Sequence, residues 1–248
     1  MAMPARTSYY SPMETPLFKD PDFRRGFRAG LGAGITFMVI FFGFGVYAMD
    51  RGFPPLLIPL FTALVFAAPA QYAVVDMAGS AAALWQFIAV GSLVNLRFFV
   101  WGLAMSHFVR HVPPRRMLPW AQFVAASTFL LPLFDKRKNP SADFFSYYRG
   151  VVCASVPMTL VGTVLGMAAH GGLPPVIAYV STLVFPVFFC VLLVGDLKKK
   201  IEGFTVLCAF ALAPFAEVAL PGWGILMAAF LSATLSLGAH IWMRRTGW

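Results

Sequence analysis

The apolar run 81–108, AAALWQFIAVGSLVNLRFFVWGLAMSHF, is long enough to cross a bilayer and carries Asn95 and Arg97 near its centre. A guanidinium cannot be deprotonated in a protein. At a helix centre it costs roughly 2.5–3.5 kcal/mol on insertion scales, so such a residue faces a bundle interior or a water cavity and marks a solute path. One residue therefore turns a membrane protein into a membrane protein that handles a polar solute.

The rest of the chain agrees. Apolar residues make up 59% and charged residues 12% of the 248 positions, where a soluble domain carries about 25% charged residues. The fold class is an all-α polytopic transmembrane bundle of about seven or eight spans, drawn at 27–49, 54–77, 82–109, 117–134, 147–169, 174–195, 201–220 and 222–243. Residues 1–26 carry charges and prolines without an apolar signal core and read as a cytoplasmic tail, leaving 27–243 as one permease domain. The net charge of +9 comes from residues in short loops, a topology signal rather than a nucleic-acid surface. With eight crossings and the N-terminus inside, fourteen basic residues lie inside and four, Arg51, Arg110, Arg115 and Arg116, outside. The loop 110–116 is the misfit, and the following segment MLPWAQFVAASTFLLPLF is short and bracketed by prolines, so a segment here is expected to be re-entrant or broken. Tyr147, Tyr148, Trp101, Trp120 and Trp223 read as interfacial anchors, and Cys153, Cys190 and Cys208 as small buried hydrophobes.

Offset by 120 residues, Ala48/Ala168, Gly52/Gly172, Pro54/Pro174, Pro55/Pro175, Thr62/Thr182 and Asp76/Asp196 coincide, and TALVF at 62–66 resembles STLVF at 181–185 with a one-residue slip. This points to a two-fold internal repeat, about 27–134 and 147–243, with parallel or inverted halves both open. Transporters place their sites at such repeat interfaces, on interrupted helices in corresponding positions. Pro69 and Pro186 supply the interruptions, and Gln71 beside Pro69 offers both donor and acceptor. Substrate-binding candidates are Arg97, Asn95, Gln71, Pro69 and Pro186, with Arg97 and Asn95 suited to a carboxylate through the planar guanidinium fork. Asp76 and Asp196 close their spans and are candidates for a coupling-ion or proton path. The structural alternatives are a plain proline kink, an Arg97–Asp76 pair, and solvated carboxylates at helix ends. The four histidines are scattered, and no phosphate loop, nucleophile elbow or metal-ligand signature appears. The reading is therefore a non-enzyme without cofactor, metal or nucleic-acid partner.

These motifs resemble the AzlC family, the large subunit of bacterial branched-chain amino acid exporters. The family's FAG-small-AQ motif stands here as Phe66-Ala67-Ala68-Pro69-Ala70-Gln71, and its NLR motif with an aromatic-Gly-Leu run as Asn95-Leu96-Arg97-Phe98-Phe99-Val100-Trp101-Gly102-Leu103. Phe27-Arg28-Ala29-Gly30 is also similar. The chain departs at Ala68 and Pro69, and again at Leu131-Pro132-Leu133-Phe134-Asp135-Lys136-Arg137-Lys138, where family members tend to carry a Thr-Asp-Glu element. The resemblance implies a bacterial inner-membrane permease working with a small hydrophobic AzlD-like subunit on branched-chain amino acids. By position, Gln71, Asn95 and Arg97 inherit the role of those motifs. The alternatives are a transporter of another small polar solute, or a non-transporting scaffold whose small-residue helix faces pack against a partner.

Overall fold

The computed structural model describes residues 17–78, 84–196, 200–219 and 224–246, and the regular structure among them is entirely helical. Two long helices form its spine: α1 (Pro21–Asp50) and α7 (Phe144–Ala169). Each starts on an aspartate cap. Asp20 accepts from the Asp22 N–H at 2.9 Å and Asp143 from the Phe145 N–H at 3.0 Å, satisfying donors that a helix start leaves unpaired. Each is followed by a glycine in left-handed backbone, Gly52 at φ +69° and Gly171 at φ +79°, where a Cβ would strain the turn.

The two helices run parallel in near-constant register. Gly26 lies on Tyr147, Gly30 on Val151, Gly45 on Thr163 and Gly166 on Phe42. A Cβ added at Gly26, Gly45, Gly150, Gly162 or Gly166 would collide with a carbonyl oxygen of the other helix. The small residues therefore serve backbone-to-backbone packing inside this chain, with Cα–H···O contacts worth roughly 0.5–1 kcal/mol each. The end of the bundle where α1 and α7 begin is called proximal below, and the other end distal.

The segment 54–77 does not cross. It folds as a hairpin of α2 (Leu57–Val65) and α3 (Ala68–Ala78), each reaching only about half of a ~30 Å hydrocarbon core. Its descent and return can be followed against neighbouring helices. Phe61 stacks on Phe53 just beyond the distal end of α1, and Thr62 meets Thr163 of α7 at 3.2 Å. Phe66 then packs on Phe37 near the middle of α1. From there α3 climbs back beside α1: Tyr72 packs on Phe44 and Tyr47, and Asp76 meets Arg51 at 3.0 Å.

Helix α4 (Leu84–Ser106) follows, and carries the chain from the distal to the proximal end. Gly91 lies opposite Val74 of α3, while Met105 sits in a core with Phe144 and Tyr148. A second hairpin, α5 (Pro114–Ala121) and α6 (Ala126–Lys138), enters and leaves proximally. Its tip is tied to α7 by the Tyr148 hydroxyl, which donates to the Trp120 carbonyl at 2.7 Å, and its exit to α1 by Arg25–Asp135 at 3.3 Å. Each hairpin thus has its own apolar core, distal around Phe41, Phe44, Ile58 and Tyr72, and proximal around Met105, Phe129, Phe144 and Tyr148.

The remaining helices are α8 (Pro175–Asp196), which packs on α1 where Gly43 meets the Ser181 carbonyl, and the paired α9 (Lys200–Ala219) and α10 (Gly224–Thr246), joined by a 2.8 Å Thr205–Ser236 hydrogen bond. Among the described residues, α1, α7 and α9 are each long and apolar enough to span a membrane, and α4 does so as two segments bent by 42° at Arg97. Helices α8 and α10, of 22 and 23 residues, are about 33–35 Å long by helical rise.

Several expectations change. The all-helical membrane bundle is observed, and the segment 117–134 is broken into a hairpin as its prolines and arginines suggested, but 54–77, drawn as a span, is a hairpin as well. The misplaced arginines are thereby explained: Arg110 lies in the α4–α5 connection and Arg115 and Arg116 in the first turn of α5, at the same end as Arg24, Arg25 and Lys136. Tyr147 and Tyr148 are buried in the bundle, not interfacial anchors. Cys190 faces outward rather than inward. Trp223 lies outside the described residues.

Candidate functional site

The two hairpins meet tip to tip inside the bundle, with the Phe66 and Phe123 rings edge-on at 5.6 Å. Local sequence shapes each tip differently. At the distal hairpin Phe66 takes left-handed backbone, φ +43°, which ends α2. Ala67, Ala68 and Ala70 are small enough to let the turn sit buried among its neighbours. Pro69 falls at the second position of α3, where a missing N–H costs no helical hydrogen bond. The proline therefore starts a helix here instead of kinking one. At the proximal tip the buried Thr128 hydroxyl accepts from the Ala125 N–H at 2.8 Å and lies 2.7 Å from the Phe123 carbonyl, so that turn satisfies itself.

The distal tip does not. Gln71, in the first turn of α3, is fully buried, and neither its Oε1 nor its Nε2 has a hydrogen-bond partner. The neighbouring Tyr72 hydroxyl is also buried and unpartnered, although its ring is held by Phe44, Tyr47 and a 4.4 Å stack on Phe185 of α8. Because α3 and α4 are antiparallel with Gly91 at the level of Val74, Asn95 comes one turn later at the level of Ala70–Gln71. Its Oδ1 is buried without a partner as well. Unpartnered buried polar atoms each cost roughly 1–3 kcal/mol, and several at one depth call for a ligand or water. Both hairpins also turn a helix start, α3 and α6, toward this level, and a helix start carries partial positive charge.

Proximal to this cluster, α4 and α5 border a half-open cavity of about 320 Å³ lined by Phe98, Gly102, Met105, Ser106, Met117 and Gln122 among others, with Ser106 and Gln122 exposed at its mouth. Among the described residues, no group of three His, Cys, Asp or Glu side chains is placed to hold a metal.

The predicted site residues divide as follows. Gln71 and Asn95 come together at the hairpin level, with Pro69 at the turn. Arg97 lies two residues further along α4, at its bend; its side chain is outside the described residues, as is that of Asp196, which closes α8. Pro186 does not interrupt its helix: α8 runs unbroken through it and it is exposed, while the preceding Phe185 stacks on Tyr72. Asp76 is half-exposed at the distal end, bound by Arg51 and by the Tyr47 hydroxyl, with the Arg51 guanidinium 5.0 Å from the Tyr47 ring. Sequence reasoning missed Tyr72 and the Phe66–Phe123 contact. Adjacency to Gln71 was a signal for the first; nothing in the sequence pairs the second.

No solved structure matches this chain. It is 22% identical over 194 residues to inner membrane protein YgaZ of Escherichia coli (strain K12), covering 77% of this chain and 79% of that one. The relative's inner-membrane location agrees with the apolar helices described above, and this is a membrane protein. The AzlC protein family model matches residues 33–173, which take in the distal part of α1, both hairpins, α4 and α7, and on that match the chain belongs to the AzlC family.

Proposed function

We propose that the chain is a secondary transporter exporting small amphipathic amino acids, branched-chain ones above all, across a bacterial inner membrane. The observation that carries the reading is Gln71, a fully buried glutamine with both amide atoms unpartnered where a half-helix begins inside the bundle. A zwitterion answers that chemistry. Gln71 Oε1 and Asn95 Oδ1 accept from the ammonium group. Gln71 Nε2, the free N–H groups at the start of α3 and the Arg97 guanidinium receive the carboxylate. Discontinuous helices at this depth are where transporters hold substrate.

The N-terminus is cytoplasmic in this reading. The proximal end then carries Arg110, Arg115 and Arg116 together with Arg24, Arg25, Lys136, Arg137 and Arg149, while Arg51 lies at the distal end and Arg97 within α4. That is the bias expected of cytoplasmic loops. A small hydrophobic AzlD-like subunit completes the transporter, as the family resemblance implies. Asp76 and Asp196 remain candidates for coupling.

The test is efflux of labelled leucine, valine and methionine from preloaded cells lacking their own exporters, with the chain alone, with its small partner, and with Gln71→Ala or Arg97→Ala at matched membrane level. Saturable efflux lost in both variants is expected. A scaffold subunit would instead show variants that lower protein level and leave flux per molecule unchanged.

A further inference from the structure

We propose that the cavity between α4 and α5 seats the substrate's apolar side chain and that Gly102 keeps it open. The proposal rests on the amino-acid reading above and deepens it. Asn95, Phe98, Gly102 and Met105 recur at helical spacing along one side of α4, and the last three line the cavity. The unpartnered amide oxygen of Asn95 thus heads the same stripe whose lower part is apolar and hollow. A polar head held at Gln71 and Asn95 therefore points its side chain into this space.

The volume, about 320 Å³, is at the lower end of the roughly 300–1,000 Å³ of small-molecule pockets. Its lining suits a flexible aliphatic group: Met105 and Met117 adapt in shape, while Ser106 and Gln122 sit among otherwise apolar walls. Gly102 is unlike the glycines at the contact between α1 and α7. A Cβ at Gly26, Gly30 or Gly162 would strike α1 or α7 backbone, whereas a Cβ at Gly102 meets nothing within 4 Å. Packing does not demand glycine there, and a larger residue would project into open space instead of straining a helix contact. The cavity reaches Ser106, Val109 and Met117 near the proximal end of α4 and α5, so a substrate would enter it from that side.

The experiment is binding of labelled leucine, methionine and alanine to the full-length protein purified alone and together with its small partner subunit, comparing wild type, Gly102→Ala, Gly102→Leu and Gln71→Ala, with thermal unfolding of each to confirm folding. One methylene in a hydrophobic pocket changes selectivity by about 10–200-fold. Gly102→Leu is expected to weaken leucine and methionine by about tenfold or more and alanine by less than about threefold, with Gly102→Ala between. Gln71→Ala is expected to weaken all three alike. If Gly102→Leu and Gly102→Ala leave the leucine-to-alanine ratio unchanged, the pocket assignment is overturned while the polar site stands. If wild type binds none of the three either alone or with the partner subunit, and Gln71→Ala changes nothing, the amino-acid reading itself is overturned, and the pocket's occupant with it.

Discussion

Residues 62–66 and 181–185 read Thr-Ala-Leu-Val-Phe and Ser-Thr-Leu-Val-Phe, each followed within three residues by a proline, yet the first stretch ends in a hairpin turn and the second continues as helix. Their surroundings differ more than their sequences. Phe66, Ala67 and Ala70 are 7%, 2% and 1% exposed, enclosed by α1, α7 and the proximal hairpin. On the face of α8 that carries the exposed Pro186, Val187 and Val191 are 57% and 66% exposed, while Val184, Phe185 and Phe188 on its other face pack on the distal core. In a bilayer, irregular backbone is tolerated only where protein or a water-lined cavity surrounds it, because lipid offers no hydrogen bonds. The outward-facing segment must keep its helical bonds and carries its proline as a local defect. The enclosed segment is free to open. Proline permits a break, and the environment decides whether one occurs.

The largest effect that would break this comparison is topological. With single cysteines in a cysteine-free background, labels at Leu56 and Ala78, which bracket the distal hairpin, are expected to react with a membrane-impermeant maleimide from one side only. Labels at Val176 and Asp196, which bracket α8, should react from opposite sides. Opposite-side labelling of Leu56 and Ala78 would restore a crossing span and remove the hairpin.

A second effect separates the two segments by function. Gln71→Leu keeps size and removes both unpartnered amide atoms, so efflux per molecule should fall at least tenfold, about 1.4 kcal/mol of lost binding. The protein should become slightly more stable, since a buried unsatisfied group is relieved. Pro186→Ala should leave efflux within about twofold and raise the melting temperature, because proline inside a helix is unfavourable by up to about 3 kcal/mol. Loss of efflux in Pro186→Ala would return Pro186 to the site.

How far the site was legible follows from the same contrast. The polar residues Gln71 and Asn95 were found because apolar spans make any amide conspicuous, and the structure brings them to one depth. The all-helical class followed from hydropathy, since helices and closed barrels are what span lipid. The hairpins were harder. A hydrophobic run of 24 residues at 54–77 has the composition of a crossing helix, and only enclosure by α1 and α7 tells it apart. The arginines at 110–116 did carry the signal, as a charge bias that eight crossings could not satisfy. Tyr148 shows the reverse failure: an aromatic near a helix end suggested the interface, yet here it seals the proximal core and bonds to Trp120.

A third effect tests what holds the turn. Phe66 takes a left-handed conformation that costs an L residue roughly 1–2 kcal/mol, so Phe66→Gly would relieve strain. It would also delete a ring buried against Phe37 and Phe123, a loss of about 3–5 kcal/mol for a phenylalanine in a core. The ring outweighs the strain. Phe66→Gly is expected to destabilise the protein by about 2 kcal/mol, read as a lower midpoint in detergent unfolding. A variant more stable than wild type would mean that backbone strain, not packing, dominates the tip.

The smallest effect concerns how the hairpins are moored. Each is tied to α1 by an arginine and an aspartate: Arg51 to Asp76 at 3.0 Å for the distal one and Arg25 to Asp135 at 3.3 Å for the proximal one. The distal pair is about half-exposed on both partners, 50% and 52%, and exposed pairs are worth roughly 0–1 kcal/mol and are screened by salt. Arg51→Ala should therefore lower stability by less than about 1 kcal/mol, and less still at high ionic strength. Asp76→Asn keeps the size and the Tyr47 contact while removing the charge. If Asp76 only moors the hairpin, Asp76→Asn efflux stays within about fivefold of wild type, and the exchanged pair Arg51→Asp with Asp76→Arg recovers what either single reversal loses. If Asp76 carries a coupling proton, Asp76→Asn abolishes concentrative efflux at unchanged stability, and the exchanged pair fails to restore it.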